Sequence, residues 1–593
     1  MKQFFKMFFA SFLALIVMGI IVFGLTIGLV AGLAKNAEEE AKEANANSVL
    51  VLDMGNAIHE NGEVNPMAAF IGGAASTPGL YDLSMALENA KSDKNIKGIF
   101  IKLSESPNGW ATLQQLRQSL LDFKSSGKFI YAYGEMVPQK SYFLASTADS
   151  IFINPVGFTE FKGMATQLAF FKGTLEKLEI QPEIFYAGKF KSATEPFRAD
   201  KMSEPNREQI TALQNGIWNE LTNAVAKHAS VNATEVDSWA KSGRIQFPED
   251  AVKAKLADRL AYIDEVEATM RKKLSKKADE KIDFISIEDY SVTARKARKT
   301  NDQRIAVLFA EGNITDGKTN DDPQIASEDM IEQIRKIAKN EKVKAVVLRV
   351  NSPGGSALAS DVILRELNLL KQKKPLIVSM GDLAASGGYY ISCQADSIFA
   401  MPTTITGSIG VFSMMFSAEK LLKNKLGVTF DEVKNAPYAD FPTATRTFTP
   451  EEATRMQTFV DTIYSVFKHR VVSGRKLSDT VVDSIAQGRV WTGVDALRIG
   501  LIDGLGGIDR AILSAAKKAG LKEYQVSTYP QPLDKFESMM RRFKMTNASA
   551  TAAFKSVIEN EISADYPWLK QIKNLKNLNG KVQMALPFDM QMK

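Results

Sequence analysis

One stretch of this chain is written twice. With an offset of 247 residues, Lys97 falls under Lys344, Gly134 under Gly381, Tyr142 under Tyr389, Pro155 under Pro402, Thr159 under Thr406 and Gly163 under Gly410. The run Ala148-Asp149-Ser150-Ile151-Phe152 recurs intact as Ala395-Asp396-Ser397-Ile398-Phe399. A repeat of this length requires one supersecondary unit to be built twice. The copies differ where chemistry would sit. Ser386, on a glycine-rich turn of the second copy, has Gln139 as its counterpart, and Lys191 of the first copy has Tyr438. Halves that have lost complementary groups point to one active site assembled from both.

At 593 residues the chain exceeds what one core supports, so two or more domains are expected. A net charge of +6, with Lys and Arg spread along the chain, gives no basis for nucleic-acid binding. The single cysteine, Cys393, excludes an intramolecular disulfide. His59, His228 and His469 lie far apart, and no Cys or His cluster has metal-ligand spacing. Residues 7–34 form 28 consecutive uncharged, mostly apolar positions. That is longer than a cleavable signal core and long enough to span a bilayer, so it is expected to be a membrane anchor. Lys2 and Lys6 precede it and Glu38-Glu39-Glu40 follow, which orients the amino terminus to the cytoplasm and the remainder outward.

After a polar linker at 35–47, each copy alternates strand and helix signals. The second copy reads as strand 345–350, helix 360–371, strand 375–380, a glycine turn with an apolar helix, and strand 397–400. The first reads as strand 98–103, helix 112–124, strand 128–133 and strand 150–153. Continuous apolar strands alternating with helices predict an α/β fold of parallel β-α-β units. The expected organisation is a first domain at 48–264, a charged, solvated helical connector at 265–302, a second domain at 303–530 and a tail at 531–593 without a counterpart in the first copy.

Four motifs could carry chemistry. In Met380-Gly381-Asp382-Leu383-Ala384-Ala385-Ser386-Gly387-Gly388-Tyr389-Tyr390 a buried strand runs through a serine into a helix, where free N–H groups favour developing negative charge. Arg349-Val350-Asn351-Ser352-Pro353-Gly354-Gly355 ends another buried strand, and Gly354 or Gly355 could add an oxyanion donor beside Gly387. The first copy, with Ser106-Pro107-Asn108-Gly109 after a one-residue shift in register, has lost one of those glycines. No histidine is placed to serve Ser386, so lysine is the candidate base, and it must be neutral near pH 7. Tyr186-Ala187-Gly188-Lys189-Phe190-Lys191-Ser192-Ala193-Thr194 offers Lys189 and Lys191, and spacing alone does not choose between them. In Thr406-Gly407-Ser408-Ile409-Gly410, Ser408 could orient the lysine; Phe161 takes its place in the first copy.

Together with Val490-Trp491-Thr492-Gly493 and Gly500-Leu501-Ile502-Asp503, these motifs resemble the signal peptide peptidase A family in its long, duplicated form, from about residue 49 to 530. The resemblance implies two tandem ClpP/crotonase-like domains behind a single transmembrane helix. It implies Ser386 as nucleophile, Lys191 rather than Lys189 as general base, Ser408 as its orienting group, and Gly387 with Gly354 or Gly355 as oxyanion donors. Phe190 stands where the family often has tyrosine. It further implies a homotetramer on the outer face of the inner membrane that degrades remnant signal peptides, with no metal or cofactor. Two other readings share parts of the pattern: a crotonase-type acyl-CoA enzyme and a non-catalytic membrane scaffold. An exported body argues against the first, and the presence of both serine and lysine against the second.

Overall fold

The computed structural model describes Met18 and residues 43–64, 76–296, 301–319, 324–530 and 582–585. The expected anchor at 7–34 lies, apart from Met18, outside these residues. Among the described residues no helix is long and apolar enough to cross a membrane.

The repeat folds into two parallel sheets with the same strand order. The first runs Arg259–Leu260, Ser150–Thr159, Phe129–Val137, Ile96–Lys102, Ser48–Asp53 and Phe284–Ser286. The second runs Gly504–Leu505, Ser397–Ala400, Leu376–Ala385, Val343–Ser352, Arg304–Glu311 and Gln525–Tyr529. Central strands such as Val343–Ser352 are buried almost throughout, because helices cover both sheet faces. The pinning hydrogen bonds repeat as well. Tyr142 donates its hydroxyl to the Leu256 carbonyl, as Tyr389 does to Leu501. The Asp258 carboxylate accepts from Ile151 N at 2.7 Å and that of Asp503 from Ile398 N at 2.8 Å.

The expectation of a solvated connector at 265–302 is corrected. Helix Ile263–Lys273 buries Val266 and Met270 against Val49 and Phe100 of the first sheet. Strand Phe284–Ser286 pairs with Ser48–Asp53 as that sheet's edge, and helix Ile287–Lys296 packs on helix Leu80–Ser92. The Lys and Glu residues of this stretch cover the outer face of an amphipathic element. Its apolar residues, four apart, belong to the first core.

A third sheet joins the copies. Strand Gln181–Ala187 of the first pairs antiparallel with Val411–Ser417 of the second over seven residue pairs, from Val411↔Ala187 to Ser417↔Gln181. Strand Val582–Ala585 of the tail lies between Val411–Ser417 and Gly354–Ser356, antiparallel to both.

Two polar clamps hold the copies together along strand Leu376–Ala385. Arg349, fully buried, donates Nε to Glu60 Oε2 at 2.8 Å and Nη2 to Glu60 Oε1 at 3.0 Å, with Nη1 on Ser379 Oγ and the Met380 carbonyl. Asp382 accepts from Ala111 N at 2.8 Å, Thr112 N at 3.0 Å and Thr112 Oγ1 at 2.6 Å, capping helix Trp110–Lys124 of the first copy. Removing one partner of a buried pair strands the other's charge, at about 3–5 kcal/mol. Glu60→Ala is therefore expected to destabilise the chain by that amount, read from denaturant midpoints. Glu88→Ala, at an exposed i,i+3 pair with Lys91, should cost under about 1 kcal/mol. Equal midpoints for the two variants would contradict the clamp.

Candidate active site

Ser386 ends strand Leu376–Ala385 and opens helix Gly387–Ser392. Its backbone is left-handed, φ 54° and ψ −114°, a strained conformation for a residue with a Cβ. Two bonds hold it there: Ser386 N donates to the Gly407 carbonyl at 2.8 Å, and Tyr390 N to the Ser386 carbonyl at 2.8 Å. The sharp strand-to-helix turn fixes where the hydroxyl lies.

The third sheet brings Lys191 to that hydroxyl. After strand Gln181–Ala187 the chain turns at Gly188, φ 104°, and Lys191 N closes the turn on the Gly188 carbonyl at 3.0 Å. Lys191 Nζ lies 2.9 Å from Ser386 Oγ, 3.1 Å from Ser408 Oγ and 3.4 Å from the Ser408 carbonyl oxygen. Lys191 is 1% exposed, and both serines are fully buried. Burial alone pushes the Lys191 amine well below the ordinary lysine value. Lys189 is exposed, its ammonium over the Phe190 ring at 5.1 Å, so geometry separates the two lysines that spacing left equal.

The glycine turn adjoins the same point. Gly354 and Gly355 have φ 101° and 155°, open to glycine alone. A Cβ on Gly354 would lie 2.7 Å from Gly387 N, so the two backbones converge. Gly354 N–H donates to Ser352 Oγ at 3.1 Å.

The equivalent place in the first copy is filled. Gln139 donates Nε2 to the Gly163 carbonyl at 2.7 Å and accepts from Lys162 N and Gly163 N, while Phe161 is buried where the second copy has Ser408. Tyr438, opposite Lys191 in the repeat, is partly exposed beneath the Arg455 guanidinium at 3.9 Å.

Several supporting residues went unread in the sequence. Gln209 donates to the Phe190 carbonyl at 3.1 Å and Ser192 Oγ at 2.9 Å, and accepts from Val490 N at 3.3 Å, tying the lysine turn to the second copy. Phe190 N donates to the Gln487 carbonyl, Gly488 N to Ile409 and Ser408 N to Arg489. The 487–489 loop thus touches both the lysine and the Ser408 turn. A signal was present, since Gly488-Arg489-Val490 echoes Gly243-Arg244-Ile245. Among the described residues no group of three or more His, Cys, Asp or Glu side chains converges as metal ligands would.

The chain is similar to known peptidases over most of its length. A profile described as Peptidase family S49 matches residues 122–277 and 368–522, one segment in each copy, and one described as Clp protease matches 295–406. Protease 4 of Salmonella typhi is 35% identical over 546 residues, 88% of this chain and 86% of that protein. Protease 4 of Haemophilus influenzae is 36% identical over 455 residues, 73% and 72% of the two chains. The chloroplastic serine protease SPPA of Arabidopsis thaliana is 33% identical over 448 residues, 74% and 66% of the two. Matched in both copies and across most of its length, the chain belongs to peptidase family S49 and is a serine endopeptidase built from a duplicated ClpP-like α/β unit.

Proposed function

We propose that this chain is a membrane-tethered Ser/Lys endopeptidase that degrades apolar peptides, chiefly remnant signal peptides after their release from exported proteins. The observation that carries the reading is the 2.9 Å contact between a desolvated lysine of one copy and a strained serine of the other. Neutral Lys191 takes the Ser386 proton as Oγ attacks the peptide carbonyl. Lys191 then protonates the leaving amine, and water hydrolyses the acyl-enzyme with the lysine again as base. Ser408, bonded to Lys191 Nζ, keeps the amine aimed at Ser386. The oxyanion falls to the Gly387 N–H and to Gly355, because Gly354 N–H is already given to Ser352 Oγ.

The substrate class rests on the names of similar proteins, one of which is a putative signal peptide peptidase of Enterococcus faecium, 34% identical over 242 residues. The apolar run at 7–34 supports a single-pass inner-membrane anchor with the catalytic body on the periplasmic side. Exposed Met136, Val156 and Phe158, on adjoining strand ends, are a surface that assembly into a homotetramer would cover. The purified full chain should degrade a free signal peptide in detergent and leave a folded mature protein intact; an untouched signal peptide would refute the substrate class.

The same reading sets a pH profile. Only unprotonated Lys191 accepts the serine proton, so kcat/KM should rise with pH through the lowered lysine pKa and level off above it. A rate that is constant from about pH 6 to 9 would argue against a lysine base.

A further inference from the structure

The first copy holds a cavity that the second copy fills. It is about 670 Å³ in volume and lies between the ends of helices Trp110–Lys124 and Glu204–Ala229, the turn at 146–149 and the loop at 255–258. The repeat supplies a counterpart for each wall. The shared run beginning at Ala148 and Ala395 aligns Thr147 with Gln394. The left-handed helix ends Ser230 and Lys476 align His228 with Gly474 and Ala229 with Arg475. Asp258 and Asp503 align Lys255 with Gly500. In the second copy Gln394 crosses the space, bonded to Asn368 at 2.7 Å and to Ser473 at 2.8 Å. Arg475 closes it with two bonds to Asp503, at 2.8 and 2.9 Å. Gly474 lets the helix press on the turn, since a Cβ there would collide with the Cys393 carbonyl. In the first copy threonine, alanine and histidine stand at those three places. The His228 ring bonds to the Ser146 backbone and so stands as a spacer between helix and turn.

The lining has a sign. Arg117, Lys124, Lys227 and Lys255 face two carboxylates, Asp149 and Asp258. Asp149 is taken by Lys124 at 2.9 Å and by Ile130 N at 2.8 Å, and Asp258 accepts from Ile151 N at 2.7 Å. Glu220, whose charge acts on Arg117, is itself bonded to Gln114 at 2.7 Å. Among the described residues this leaves positive charge in excess at Arg117, Lys227 and Lys255. Burial holds Arg117 and His228 below their ordinary pKa values, and an anion in the cavity would offset that desolvation. Lys255 is also held at φ 58°, a conformation that Gly500 adopts at the matching turn, φ 81°, with no Cβ to strain.

We infer that this cavity binds a phosphate monoester, its dianion held by Arg117, Lys227 and Lys255 and its organic group set against Leu121 and Val252. The planar Arg117 fork offers parallel donors to two phosphate oxygens, and the lysines add point charges beside it. A carboxylate, with one charge and two oxygens, would leave a lysine unmatched. The volume leaves room for an organic group beside the phosphate. A soluble phosphate ester and the headgroup of phosphatidic acid share this chemistry.

The test is the melting temperature of the purified full chain in non-ionic detergent, titrated with glycerol 3-phosphate at constant ionic strength. A saturable rise is expected for the wild type. Lys227→Gln and Lys255→Gly should each weaken binding about tenfold, and without ligand neither should melt below wild type. Thr147→Gln with Ala229→Arg rebuilds the second copy's filling and should abolish the rise. No rise beyond that given by sodium chloride, or undiminished binding by both lysine variants, would overturn the site. Dihexanoyl phosphatidic acid separates the two sources: tighter binding than glycerol 3-phosphate assigns a lipid headgroup, and weaker binding a soluble ester. Dihexanoyl phosphatidylcholine has no dianion, and binding equal to that of the acid would overturn the phosphate assignment.

Discussion

Ser386→Ala and Lys191→Ala are each expected to lower kcat/KM on an apolar peptide by about 10⁴-fold or more, and the double variant to lose little beyond either single one. The two groups act in one proton transfer, so removing the second costs almost nothing once the first has gone. Among the described residues Lys191 is the only base bonded to Ser386 Oγ. The described groups at its amine are Ser386 and Ser408, and its pKa is lowered by burial alone. Activity retained at a tenth or more of wild type in either variant would refute the dyad. A stability measurement separates loss of chemistry from loss of fold. The lysine pKa is depressed in the folded chain and near ~10.4 in the unfolded one, so between these values the unfolded state binds more protons and stability rises with pH. Lys191→Met removes that penalty. It should be inactive yet melt above wild type at pH 7, and the gap should narrow at pH 9. A Tm below wild type at pH 7 would show that the lysine's hydrogen bonds outweigh its desolvation.

The parts of this arrangement legible in the sequence are those that depend on local pattern. Buried parallel strands announce themselves as apolar runs, and 345–350 lies within the strand Val343–Ser352. Ser386 was legible because a strand, a serine and two glycines have one economical geometry. The site's assembly from both copies followed from what each had lost. What the sequence withheld is register and direction. Lys189 and Lys191 are equivalent by spacing and differ only once Gln181–Ala187 is paired with Val411–Ser417. Glu60 is an unremarkable loop acid until Arg349 is found buried against it. In the 265–302 stretch charge density hides the four-residue spacing of Val266 and Met270, which marks the buried face of the helix. Short strands such as Val582–Ala585 carry almost no signal, since four residues cannot display a period.

The sharpest expression of the division of labour between copies is a residue with no chemistry of its own. Gly488→Val is expected to lower kcat by about 100-fold or more, with the fold retained and the pH profile displaced. Gly488 has φ 75°, and a Cβ there would sit 2.7 Å from the backbone nitrogen and Cβ of Lys191. Across the contact, a Cβ on Gly188 would meet Gln487 in the same way. Neither side can yield without moving the lysine, and a displacement near 1 Å at a catalytic group costs on the order of 10²-fold. The repeat supplies its own control. Gly243 opens the matching Gly243-Arg244-Ile245 stretch of the first copy, has φ 63° and has nothing within 4 Å of its Cβ position. Gly243→Val should therefore carry only the strain of a β-branched residue at positive φ, about 1–3 kcal/mol of stability, and leave kcat within twofold. Two glycines of the same ancestral turn would then differ in function because only one faces the other copy's lysine. Equal loss of kcat from both substitutions would mean that the turn matters for folding alone and that Lys191 is positioned by something else.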